Sequence, residues 1–293
     1  MLTIFSIPKP FAGHDGIIQS NALQSWARLG RGCEIVLCGD DPGVGEAARE
    51  FGVRHAPAID RNEYGTPLLS SAFEQVRRTA AHEMLCYVNA DIMLLSDLLD
   101  AVRRLPFHDF LMAGRRWDFD LQRPWDFERA DWETHLRQAI AERGVRHSPL
   151  GMDYFVFPRR HPVGQLKPFA VGRPGWDNWL IYRARAMRLP VVDASDAVTA
   201  VHQNHGYQHV SGGRNQCSEG PEGDRNLALA GGWNHIFTLW DATHVLTADG
   251  IRRALDIPHL RRRWQALGVL VPRTRLVVSF VSRVTGRLRR CWS

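Results

Sequence analysis

Leu85-Cys86-Tyr87-Val88-Asn89-Ala90-Asp91-Ile92-Met93-Leu94 is the stretch whose reading decides the fold. Its first half is apolar, β-prone and free of breakers, the pattern of a strand buried on both faces of a parallel sheet. Such a strand delivers Asn89 and Asp91 to its C-terminal edge, where open α/β sheets bind ligands. A carboxylate beside an amide at that edge has two readings. It is an ordinary strand-end polar pair, or a handle for a metal carried by a phosphorylated ligand.

Outward from it, strands and helices alternate. Thr3 to Ile7 reads as a first strand stopped by Pro8 and Pro10, and Asp15 to Leu29 places apolar residues at helical spacing. Glu34 to Cys38 is a second strand that ends in Gly39-Asp40-Asp41, Glu46 to Phe51 a helix, and Val53 to Ala56 a short strand. A polar loop, Asp60 to Pro67, precedes a helix from Leu68 to Ala80. After the opening strand, Ser96 and Asp97 cap a further helix, and Phe110 to Gly114 is another buried strand. Blocks of this size and order predict a doubly wound, mostly parallel sheet built through right-handed crossovers.

From Arg115 to Arg146 the character changes, with Trp117, Trp125 and Trp132 set among Asp118, Asp120, Asp126 and Asp131. Two readings stand here: a carbohydrate-facing surface, or a helix and loop that pack their tryptophans onto the sheet. Asp153 precedes the β-prone run Tyr154-Phe155-Val156-Phe157, and a strand entering mid-sheet there would bring it to the cleft to touch a bound sugar; a satisfied turn aspartate is the other reading. Gly172-Arg173-Pro174-Gly175-Trp176-Asp177-Asn178 opens a helix to about Met187, Pro190 to Ala194 is a strand, and Ala197 to Val201 leads into His202-Gln203-Asn204-His205. Ser211 to Asp224 reads as a polar, glycine-rich loop long enough to act as a lid.

Composition bounds what this chain does. At 293 residues with 44% hydrophobic content it has a real core. No signal peptide is evident at the N-terminus and no window has the length of a membrane span. The five cysteines are scattered and odd in number, which fits reduced thiols and a cytoplasmic location. The net charge of +6 is local: Arg261 to Ser293 carries nine arginines and no acid, so the rest of the chain sums to −3. Nothing matches a nucleic-acid-binding module.

Four separated features then count jointly: Asp40-Asp41, Asn89-Ala90-Asp91, Asp177 at a helix start, and His202. A nucleoside diphosphate needs groups for its base and ribose and a cation for its diphosphate. Hard divalent ions take carboxylate oxygen, and Mn²⁺ also takes imidazole, so Asp91 with His202 supplies a suitable pair.

At this point the chain resembles the glycosyltransferases of the GT-A fold, over about residues 1–245. Asn89-Ala90-Asp91 resembles their strand-ending D-x-D motif with asparagine for the first aspartate. The resemblance implies a nucleotide-diphosphate-sugar donor, a glycan or lipid-linked acceptor, and Mn²⁺ or Mg²⁺ held by Asp91 and His202. It also implies nucleotide-binding roles around Ser6, Asp40, Asp41, Thr66 and Asn89, and a general base at Asp177. Asp177 at a helix N-terminus should be ionised at neutral pH, and capping that helix is its alternative role. Arg173 neutralises diphosphate charge or is a surface residue.

The division expected is a catalytic domain over residues 1–250, with a nucleotide-binding half 1–114 and an acceptor-side half 115–250, followed by a basic amphipathic segment 251–293. Arginines among apolar residues over 255–293 suit an anionic membrane surface at the inner face of the cell membrane, or a helix packed on the domain. A sugar-phosphate nucleotidyltransferase is an alternative, but it would want a basic glycine-rich loop where Ile7-Pro8-Lys9-Pro10 stands. A non-catalytic carbohydrate-binding relative is the other.

Overall fold

The computed structural model describes residues 2–30, 32–204 and 220–276. The first half alternates as expected: β1 (Leu2–Ser6), α1 (Gly13–Ala27), β2 (Cys33–Cys38), α2 (Val44–Glu50), β3 (Arg54–Ala56), α3 (Leu69–Thr79), β4 (Met84–Val88), β5 (Ile92–Leu94) and α4 (Asp97–Arg103). There follow β6 (Leu111–Phe119), α5 (Trp132–Arg143), β7 (Val145–Arg146), β8 (Met152–Pro158), α6 (Trp176–Ala186), β9 (Val191–Asp193) and β10 (Ala200–Gln203). The described chain closes with α7 (Pro221–Ala230), β11 (His244–Thr247), β12 (Gly250–Arg253) and α8 (Ile257–Leu270).

The sheet runs β12-β11-β9-β6-β8-β4-β1-β2-β3. Strands β3, β2, β1 and β4 are mutually parallel, as are β6, β9 and β11, and β8 enters between the two sets antiparallel to both β4 and β6. The opening strand therefore has a parallel neighbour on one side only. Successive residues alternate between two faces, as the pleat requires. Phe5, Val36, Tyr87 and Phe155 share one cluster with Phe73 and Val76 of α3 and Trp179 and Leu180 of α6. Ile4, Leu37, Val88 and Val156 share the other with Leu23 and Trp26 of α1, Ala47 of α2 and Leu98 of α4. Helices on both faces make this the doubly wound α/β sheet that the sequence predicts.

Three readings change. Strand β6 does not stop at Gly114 but runs through a register shift to Phe119, carrying Arg116 and Asp118 onto the sheet. The Ser96 side chain caps no amide of α4; its hydroxyl donates to Glu133 at 2.7 Å. The loop expected over Ser211 to Asp224 falls outside the described residues up to 219, and Pro221 to Asp224 are already helix α7. Trp117, Trp125 and Trp132 pack as partly buried residues on a third cluster with Phe119, Phe127 and Leu136.

Candidate active site

A cavity of about 580 Å³ opens at the C-terminal edge of β1 and β4 and is lined by Asn89, Asp91, Arg116, Asp153, Asp177 and His202 among others. Strand pairing, not chain proximity, assembles it. Strand β10 pairs antiparallel with β5, setting His202 opposite Ile92, and parallel with β6, setting His202 opposite Asp118. The backbone N–H of Gln203 donates to the Asp91 carbonyl at 3.2 Å. His202 consequently stands between two carboxylates, with Nε2 3.6 Å from Asp91 Oδ2 and Nδ1 3.2 Å from Asp118 Oδ1.

Asp118 is a hub. Its other oxygen lies 2.7 Å from His147 Nδ1, and Arg116 Nε donates to its Oδ1 at 2.8 Å. Burial works against its charge, but His202, His147 and Arg116 together hold its carboxyl well below the usual carboxylate range. Burial likewise pushes His202 down, and the facing Asp91 and Asp118 outweigh that and take it up to about 9. Arg116 reaches on to Asp153, donating from Nη1 to Oδ2 at 2.8 Å, and Asn89 Nδ2 donates to Asp153 Oδ1 at 2.6 Å. Asp153 lies within β8 rather than ahead of it, and it faces the cleft.

Asp177 occupies the first turn of α6, behind Gly175, whose φ of 98° is in the left-handed region that suits glycine. The preceding Trp176 fixes the helix by edge contacts with Tyr87 and Phe155, at centroid distances of 5.1 and 5.4 Å. Asp177 Oδ1 is buried and has no hydrogen-bond partner among the described residues. The expected lowering by the helix N-terminus does not prevail: burial, with nearby Asp153 adding to it, pushes the carboxyl up to about 6 against the pull of the backbone amides. At pH 7 most molecules still hold it ionised, as a stronger base than a solvated aspartate.

On the other wall, Arg61 Nη2 donates to Asp40 Oδ1 at 2.6 Å and to Asp41 Oδ2 at 3.0 Å, clamping the loop after β2 to the loop before α3. Asp41 and Thr66 line the cleft, while Asp40 stays at the exposed rim, paired with Arg61, which keeps its carboxyl below the ordinary range. Ser6 is fully buried below the cleft floor and does not line it. Arg173 lines the cleft, paired with Glu222 of α7 at 2.6 Å; Glu222 also accepts from Asn62 at 2.7 Å. The sequence reading singled out neither Arg61, Arg116, His147 nor Glu222, and it noted Asp118 only among the acids of the 115–146 region. Alternating polar and apolar residues in Arg116-Trp117-Asp118-Phe119 are the one local sign that β6 continues past Gly114.

No group of three or more His, Cys, Asp or Glu side chains arranged around one metal position occurs among the described residues. Asp91 and His202 nevertheless fit a divalent ion that draws its remaining ligands from a diphosphate and water, since Mg²⁺ and Mn²⁺ are commonly held by few protein groups plus phosphate oxygen. Asp118 behind Nδ1 is the outer partner that a metal-binding imidazole has, turning Nε2 toward Asp91.

No protein-family model and no curated protein sequence matches the chain. Among solved structures, it is similar to glucosyl-3-phosphoglycerate synthase from Mycobacterium tuberculosis, in complex with Mg²⁺ and uridine diphosphate, at 14% identity over 79% of this chain and 80% of that one, with a TM-score of 0.45. It is also similar to a mannosyltransferase from Pyrobaculum calidifontis in complex with GDP-mannose and Mn²⁺, at 15% identity over 69% of this chain and 56% of that one, with a TM-score of 0.41. The chain's own strand order, with helices on both faces of the sheet, is that of a doubly wound α/β fold.

Proposed function

We propose that this chain is a divalent-metal-dependent glycosyltransferase that moves a sugar from a nucleotide-diphosphate sugar to a hydroxyl of a glycan or lipid-linked acceptor. The observation that carries the reading is the convergence of Asp91 and His202, 3.6 Å apart, in one cleft with the buried carboxylate of Asp177.

Asp91 and His202 Nε2 would hold Mg²⁺ or Mn²⁺, and the bound ion supplies Lewis-acid stabilisation of the diphosphate leaving group. Asp118 holds His202 in the orientation that keeps Nε2 toward Asp91. Asp41, Thr66 and the Arg61 clamp form the wall against which base and ribose lie. Asp153, fixed by Arg116 and Asn89, accepts a hydroxyl of the transferring sugar. Asp177 takes the proton from the acceptor hydroxyl in an inverting reaction, a task its raised basicity suits. A nucleotidyltransferase would need a cationic phosphate loop after β1; Lys9 is the one cation in Ile7 to Pro10, and its ammonium is 3.7 Å from Asp15.

The test is calorimetry with nucleoside diphosphates, with and without Mn²⁺. Metal-dependent binding that Asp91→Ala abolishes supports the site. Binding indifferent to both would overturn it.

The C-terminal helix bears on where such an enzyme works. Its inner face is fixed by Arg262, which donates from Nε to Asp241 at 2.8 Å, and by buried Ala266. Its outer face shows Ile257, Leu260 and Trp264, 81%, 47% and 41% exposed, beside exposed Arg261. No described helix is long and apolar enough to cross a membrane. An apolar stripe edged by arginine suits an anionic lipid surface, to which we assign it. Residues 277–293, where the rest of the basic segment lies, are outside the described residues. Flotation with anionic liposomes checks this; retention of binding in Ile257→Gln/Leu260→Gln/Trp264→Gln would remove the assignment.

A further inference from the structure

Asn89 stands where the D-x-D pattern has its first acid, and the structure shows what the amide does there. Its Nδ2 donates to Asp153 Oδ1 at 2.6 Å, and its backbone N–H donates to the Asp153 carbonyl at 2.9 Å. The amide orientation follows from chemistry, since its carbonyl oxygen turned toward a carboxylate oxygen at that distance would be repelled. Asp153 is itself only 6% exposed, on the strand between β4 and β6. Its second oxygen is taken by Arg116, which also serves Asp118. A carboxylate at position 89 would set two anions against each other in a buried place whose guanidinium already serves two.

We propose that Asn89 is a positioning residue that holds Asp153 against the donor sugar, and that the carboxylate missing at position 89 is supplied by Asp153 on β8. In this arrangement the amide at 89 is the working form. Restoring an acid-x-acid motif by Asn89→Asp therefore weakens donor binding instead of improving it. This rests on the glycosyltransferase reading for the role of Asp153, while the pairing itself stands on geometry alone.

The pair predicts a swap. In Asn89→Asp/Asp153→Asn, the new amide at 153 donates to the new carboxylate at 89 and its carbonyl oxygen still accepts from Arg116. Two readouts follow from one set of variants: thermal stability of the ligand-free protein, and calorimetric affinity for UDP-glucose, GDP-mannose and UDP, each with Mn²⁺. Asn89→Asp is expected to lower the melting temperature and to weaken the bound nucleotide sugar about tenfold or more, the scale of a lost charge-assisted hydrogen bond. The loss for UDP itself should be smaller than the loss for the nucleotide sugars, because Asp153 is assigned to the sugar. The swap should recover most of both losses, and Asn89→Ala should fall between. If Asn89→Asp binds nucleotide sugar as well as wild type does, or if the two substitutions act additively on both readouts, the inference is overturned. If wild type binds no nucleotide with Mn²⁺, the glycosyltransferase reading fails, and the coupling in melting temperature still decides whether Asn89 and Asp153 act as a pair.

Discussion

Asp118 Oδ1 lies 3.2 Å from Nδ1 of His202, on the side of the ring turned away from Asp91. The carboxylate thus orients the imidazole without belonging to the proposed metal pair. Outer partners of this kind are worth 10- to 100-fold in metal affinity, roughly, when removed. Asp118→Ala should therefore weaken Mn²⁺ binding by about that factor, read by electron paramagnetic resonance titration. Metal-free nucleotide binding should stay unchanged. Unaltered Mn²⁺ affinity would separate Asp118 from the site.

Asp177 makes two linked predictions. Its carboxyl, raised to about 6 by burial, must be ionised to act as a base, so transfer should fall with decreasing pH through an acid limb near that value. Asp177→Asn should abolish transfer while leaving nucleotide affinity within about twofold. Stability runs the opposite way. A carboxyl whose folded pKa is raised binds its proton more tightly when folded, so its favourable contribution is complete below about pH 4 and is lost as pH rises through about 6. At pH 7, Asp177→Asn should be more stable than wild type by about 1–3 kcal/mol, with the difference vanishing near pH 4 in urea titrations.

Arg61 joins two loops through Asp40 and Asp41. Both pairs are partly solvent-exposed, so Arg61→Ala should cost less than about 1 kcal/mol of folding stability. The cost should fall on the nucleoside wall, as a loss of nucleotide affinity of about tenfold at constant Mn²⁺ affinity. Calorimetry separates the two quantities.

Phe73 packs within 4.9 Å of Phe5, 5.2 Å of Tyr87 and 5.6 Å of Phe157 by ring centroid, in the layer that also holds Trp176. Phe73→Ala should lower stability by about 3–5 kcal/mol, measured by denaturant unfolding, because a fully buried ring leaves a cavity that these rings only partly fill. A cost under about 1 kcal/mol would mean that the layer repacks freely.

The first four strands and their helices were legible because apolar periodicity and glycine or proline punctuation are local properties. Where local signals conflicted, the reading failed. Gly114 followed by two arginines reads as the end of a strand, yet β6 continues because β10 and β7 pair with its far half. That continuation brings in Arg116 and Asp118. For Asp177, the helix N-terminus visible in the sequence pulls the carboxyl down, and the burial that outweighs it comes from other parts of the chain.

By itself the sequence determined the first four strands and their helices, that β4 would end in a polar pair at the C-terminal edge of the sheet, and which residue types suited to metal and diphosphate were available. Only the tertiary structure decided which of them meet. His202 reaches Asp91 and Asp118 through the register of β10 between β5 and β6, and Asn89 reaches Asp153 because β8 enters the sheet antiparallel beside β4. Strand register is set by long-range packing of a whole face, since a slip of one residue turns every side chain over, and no local stretch of sequence encodes it alone.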